Sequence, residues 1–185
     1  MPHLLAVFFM MKLTVVVRTY DTAGVSSTVL ERARGGVDQL LNAVGIQPVW
    51  RNCRTGSCMD PPQSYELEVR IANATRLSPD DSLGSSAVDL SQQAGTLATI
   101  YEDHVRRLAG SADGDEGRLL GRVIAHEIGH LLLGTSRHGP AGLMRARWQA
   151  DDLRRNLPCD WRFSPEEGSR MRWRLLARIE PSTAR

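Results

Sequence analysis

The chain has 185 residues, 42% hydrophobic and 24% charged, enough for one globular domain with a sizeable core. A net charge of +2 gives no sign of a nucleic-acid binder or an acidic tail. The basic residues are 22 Arg and one Lys, Lys12, a bias that reads as base composition. They are unevenly placed: residues 1–136 hold 12 basic and 15 acidic groups, residues 137–185 hold 11 and 6. A basic C-terminal face could favour an anionic partner, but solvating a helix is the simpler reading.

In chain order, the first feature is an apolar run from Leu4 to Val17, broken by Lys12. It falls short of the roughly 20 residues a bilayer needs, so no stable membrane insertion is expected. It lacks the basic start and small-residue cleavage site of a signal peptide, and fits either the remnant of one or a start set ahead of Met10 or Met11. Leu13–Tyr20 is rich in β-branched residues and reads as a strand. Thr28 and Glu31 form a capping-box pair, and Val29, Leu30, Ala33, Val37, Leu40, Leu41 and Val44 then recur with helical period up to Gly45. Gly35 and Gly36 weaken that helix and point to a close approach to the sheet. Pro48–Cys53 reads as a second strand. Cys53 and Cys58 can close a small loop, which implies an oxidising compartment, or remain buried thiols. A secreted or periplasmic location is the expectation if they are bridged, with the cytoplasm left open.

Tyr65–Ile71 alternates strictly and reads as a half-buried strand. Leu77–Gly95 is polar and loop-like, and Thr96–Glu102 is a further strand. A helix is expected from about Gly117 to Leu133, then a turn over Gly134–Pro140. Ser164-Pro165-Glu166-Glu167 opens a last helix, with Met171, Leu175 and Ile179 as its buried stripe. This order predicts an α/β domain with a twisted mixed sheet and backing helices. It is expected to be a single domain, with an N-terminal subdomain of about 11–134 and a short C-terminal one of about 135–182 ending in a helix.

Chemistry concentrates in His126-Glu127-Ile128-Gly129-His130, inside the helical pattern. Four residues apart, the two imidazoles share one helix face one turn apart. Two imidazoles so placed can bind one zinc ion, and Glu127 beside them can reach a zinc-bound water without becoming a ligand. Apolar neighbours argue against a decorative surface pair, because burying unpaired imidazoles is costly. A third ligand is required, and His138 is the first candidate, since Gly134 lets the chain turn back. His3 and His104 read as structural or solvated. Glu166 and Glu167 are the competing carboxylate ligands, though they also suit the first turn of a helix.

The run HEIGHLLLGTSRH followed by Gly142-Leu143-Met144 resembles the metzincin clan of zinc metallopeptidases. The resemblance implies a zincin-like domain with His126, His130 and His138 on one catalytic Zn²⁺ and Glu127 as general base. It also implies Gly134 as the turn and Met144 as the Met-turn residue beneath the metal. The motif covers about 19 residues. Its spacing departs from HExxHxxGxxH by one added residue before the glycine and another after it. The Met-turn follows His138 by only six residues, no Tyr follows Met144 closely, and there is no cysteine-switch segment.

The implied activity is hydrolysis of peptide bonds in a peptide or protein substrate. By resemblance, an edge strand just before the active-site helix, somewhere in Gly95–Glu102, would align that substrate. A side-chain pocket near Met144–Trp148 would set preference. The rival reading is a non-catalytic, zinc-stabilised binding domain, for which Cys159 is the one nameable fourth ligand. Retention of Glu127 favours the enzyme.

Overall fold

A computed structural model of the chain describes residues 13–53, 58–78 and 81–179. The first twelve residues, including His3 and most of the apolar run, lie outside that set. Leu13–Asp21 forms β1, and the chain leaves it through Asp21, whose carboxylate accepts hydrogen bonds from the main-chain N–H groups of Ala23, Gly24 and Val25. This turn delivers Ser26, not Thr28, to the N-cap of α1 (Ser27–Ala43), where its hydroxyl accepts from the Val29 N–H. Gly45, at φ 77°, ends the helix and starts β2 (Ile46–Asn52), which pairs in parallel with β1. The unit is a βαβ crossover.

β3 (Glu66–Ala72) lies parallel on the other side of β1, and β5 (Ala94–Tyr101) lies parallel to β3. With β4 at Gly84–Asp89, the strand order among the described residues is β2-β1-β3-β5-β4. The segment read as a loop contains β4 (Gly84–Asp89), the antiparallel edge. The expected edge strand, Gly95–Glu102, is therefore interior. Edge strands are commonly short and polar, and Gly84-Ser85-Ser86-Ala87-Val88-Asp89 carries no alternating apolar face to reveal it. After β5 come α2 (Glu102–Ser111), α3 (Glu116–Leu133), a short α4 (Ala150–Arg155), a 3₁₀ turn at Pro158–Trp161, and α5 (Pro165–Ile179).

Helix α3 is buried along nearly its whole length. Its glycines, more than Gly35 and Gly36, admit α1. A Cβ at Gly121 would lie 2.5 Å from the Ala33 carbonyl, and one at Gly117 would lie 3.0 Å from that of Val29. The close approach is thus helix to helix, not helix to sheet. Val15, Val17, Leu67, Val69, Ile71, Ala98 and Ile100 supply the sheet side of the core. In α5 the buried stripe is Gly168, Met171 and Leu175, whereas Ile179 is exposed. Arg178 of α5 donates to the carbonyls of Leu131 and Gly95, tying the C-terminal helix to α3 and β5.

Candidate metal centre and cleft

His126 and His130 project from the last two turns of α3, and α3 ends at Gly134 in a left-handed conformation (φ 60°). A Cβ at Gly134 would overlap the Gln93 carbonyl in the β4–β5 turn, so both the backbone angle and the space call for glycine. The chain then turns back and brings His138 to the pair. His130 Nε2 lies 3.0 Å from His126 Nε2 and 3.2 Å from His138 Nε2. Among the described residues, these three imidazoles form the one cluster of His, Cys, Asp and Glu side chains that could hold a metal ion. Three nitrogens at about 2.0–2.1 Å from a tetrahedral ion would stand about 3.3 Å apart, close to the spacing found.

The tautomers suit that task. His126 Nδ1 donates to the Leu143 carbonyl at 2.7 Å, and His130 Nδ1 donates to the Thr135 carbonyl at 2.8 Å. With each Nδ1 carrying the proton, each Nε2 offers a lone pair to the cluster, the usual outer support of a metal-binding histidine. Burial pushes the His126 imidazolium down to about 3, and burial likewise lowers His130 and His138. All three are therefore neutral near pH 7, as metal ligands must be.

Beneath the helix, Gly129 leaves room for Met144. A Cβ at Gly129 would stand 2.6 Å from Met144 Sδ and 2.8 Å from Phe163 Cε1. The same turn presents the Leu143 carbonyl to His126 and returns through a hydrogen bond from Gly139 N–H to the Met144 carbonyl at 2.8 Å. The competing carboxylates are elsewhere. Glu167 caps α5, accepting from the Ser164 N–H at 2.7 Å while its own N–H donates to Ser164 Oγ, and Glu166 is an exposed first-turn residue. Cys159 is an exposed free thiol, and Cys53 is bridged to Cys58.

Glu127 is only 5% exposed, and burial raises its carboxyl to about 7 against the opposing pull of a Ser86 hydrogen bond. The cluster and Glu127 open into a cleft of about 880 Å³. Residues of β4, His104, Arg107 and Leu108 of α2, and Arg145–Gln149 line it. His104 Nδ1 donates to the Ser82 carbonyl (2.7 Å), so it is a structural neighbour of the edge strand and stands apart from the three-histidine cluster. Trp148 packs edge-on against His126, with centroids 5.3 Å apart. Sequence reasoning missed β4 and Ser86. A serine two residues after a glycine in a polar stretch carries no periodic signal.

No protein-family model and no curated protein matches the sequence. Solved structures do match in fold. Archaemetzincin from Methanopyrus kandleri is 16% identical, with 90% of this chain and 97% of that chain covered at a TM-score of 0.53. A zinc-dependent peptidase from Methanocorpusculum labreanum is 13% identical, with 84% and 99% covered at a TM-score of 0.55. This chain shares the architecture of these two proteins across most of its length.

Proposed function

We propose that this chain is a metzincin-like zinc metalloendopeptidase, with one zinc ion on His126, His130 and His138 and Glu127 as general base. The observation that carries the reading is the convergence of three Nε2 atoms, two with their Nδ1 protons bound to carbonyls, beside a buried carboxylate. Three neutral, convergent imidazoles suit zinc. Zinc in this position supplies Lewis acidity, lowering the pKa of a water towards about 7 and polarising the scissile carbonyl.

This chain's own residues do the remainder. Among the described residues the outer side of β4 has no strand partner, so an extended peptide can add to the sheet there as an antiparallel strand. Glu127, poised near neutrality, takes the proton from the attacking water and passes it to the leaving amine. Met144, seated against Gly129, has the Met-turn part. Arg145–Gln149, which line the same cleft as β4, meet a substrate side chain and set preference. A purely structural zinc site needs a fourth protein ligand. Cys159 is not in the cluster, and the side left open is the cleft. The Cys53–Cys58 bridge supports a secreted or periplasmic location.

The test combines metal content with cleavage of a denatured protein. One zinc per chain and chelator-sensitive cleavage are expected. Glu127→Gln should keep the zinc and lose about 10²–10⁴-fold in kcat, the usual worth of a general base. His138→Ala should weaken zinc binding, while Glu166→Ala and Glu167→Ala leave it at the parental value. Loss of zinc in Glu127→Gln, or parental affinity in His138→Ala, overturns the assignment.

A further inference from the structure

Ser86 lies in β4, with its Oγ 2.5 Å from Glu127 Oε2 and 3.0 Å from the Glu127 main-chain carbonyl. Among the described residues, no other side chain hydrogen-bonds the Glu127 carboxylate, and Oε1 has no protein partner. Two residues earlier on the same strand, Gly84 makes the room. A Cβ there would stand 2.8 Å from Glu127 Oε1 and 3.0 Å from its Cγ. Alternate residues of a strand share one face, so Gly84 and Ser86 together form a seat. One leaves space for the carboxylate, and the other holds it by a hydroxyl within hydrogen-bond distance of both the carboxylate and the main-chain carbonyl of the same residue.

We infer that Ser86 is a positioning residue for hydrolysis, fixing the orientation of the Glu127 carboxylate from the strand along which the substrate lies. The inference rests on the proposed peptidase reading. The terminal torsion of a Glu side chain is broad, so burial alone does not fix the plane of the carboxylate. The Ser86 hydrogen bond to Oε2, with Oε1 lying against Gly84, fixes that plane relative to β4. Because β4 holds the base and also pairs with the peptide, one short strand sets the position of both reacting partners. A misplacement of about 1 Å between such partners can cost about 10²-fold in rate. The need is for a hydroxyl at this position, and threonine also provides one.

The experiment compares Ser86→Ala and Ser86→Thr in the zinc-loaded full chain. Ser86→Ala should lower kcat by about tenfold or more, with KM within about twofold of the parent. Zinc content and thermal midpoint should be unchanged. Ser86→Thr should recover most of the lost kcat. A serine that merely supports the strand would shift KM and the thermal midpoint instead, and threonine would give no selective rescue. A kcat for Ser86→Ala within twofold of the parent overturns the inference. If the parent itself cleaves no peptide, the peptidase reading fails, and crystal structures still decide the role of Ser86. A Glu127 carboxylate that turns away in Ser86→Ala, and returns in Ser86→Thr, supports it. An unmoved carboxylate refutes it.

Discussion

Two glycines in helices of this chain should respond to alanine with opposite signs. Gly35 sits in the exposed middle of α1, and a Cβ there meets nothing within 4 Å. Gly129 sits in α3 between Glu127 and His130, and a Cβ there would stand 2.6 Å from Met144 Sδ and 2.8 Å from Phe163 Cε1. Alanine is favoured over glycine in a helix interior by about 0.8–1.0 kcal/mol, so Gly35→Ala should stabilise the protein by roughly that amount. At Gly129 the same gain is opposed by overpacking, typically about 1–3 kcal/mol. The Met thioether can yield, but the Phe163 ring is 7% exposed and has little room, so a net loss of about 1–2 kcal/mol is expected. The displacement also reaches the candidate metal centre, because Met144 adjoins Leu143, whose carbonyl holds His126 Nδ1 at 2.7 Å. Losing such an outer partner typically costs about 10–100-fold in metal affinity. Urea unfolding of the metal-free variants, with zinc competition titrations alongside, gives both numbers. If Gly129→Ala gains stability as Gly35→Ala does, or binds zinc with parental affinity, the Met144 turn is not closely packed on the helix.

Two further outcomes concern pH and the disulfide. Metal-free Glu127→Gln should lose stability as pH falls from 6.5 towards 3. The fold holds His126 at about 3, so only the unfolded chain gains that proton, a slope of about 1.4 kcal/mol per pH unit for one group. In the metal-free parent the raised Glu127 carboxyl, at about 7, acts oppositely. Its stabilisation is fully present below about 4.5, is lost as pH rises through 7, and offsets His126 between. Equilibrium unfolding across this range checks both, and identical pH slopes in the two proteins would contradict the assignment. Reducing the Cys53–Cys58 bridge should cost about 2 kcal/mol on the loop-entropy model for so short a loop. Intact mass before and after reduction, on protein from its native compartment, tests the bridge and with it the proposed export. Two free thiols there would remove that proposal.

The parts legible in the sequence were those with a strong local period or a chemical motif. The valines of β1, the alternation in β3 and the apolar stripe of α1 all lie where their patterns put them. So do the helix carrying His126 and His130 and the turn at Gly134. What was hidden depends on tertiary context. β4 is a strand because β5 supplies its ladder, and its outward face is free to be polar. Thr28 looked like a cap, but the Asp21 turn had already placed Ser26 there. The alternating face of β3 read as solvent-exposed, yet Glu66 is buried against the wholly buried Arg18 of β1, which also donates to the Asp60 main-chain carbonyl at 2.6 Å. No periodicity distinguishes a carboxylate facing water from one facing an arginine on the neighbouring strand.

The lengthened spacing around Gly134 shows why counting residues is a poor guide to where a ligand ends up. One more helical residue rotates the exit from α3 by about 100°, which by itself would aim the following chain away from the pair. Thr135 absorbs that rotation. Its N–H donates to the His130 carbonyl at 3.3 Å, and its own carbonyl accepts from His130 Nδ1 at 2.8 Å. The first residue after the glycine is thereby bound to both the main chain and the side chain of His130, and the exit direction follows that pair of bonds. The residue added after the glycine then serves as reach, since Ser136 and Arg137 must carry the chain to His138 across a gap set by the helix end. The two parts of the connection act together. The bonds of Thr135 set the angle and Ser136 and Arg137 supply the length, so that three Nε2 atoms meet.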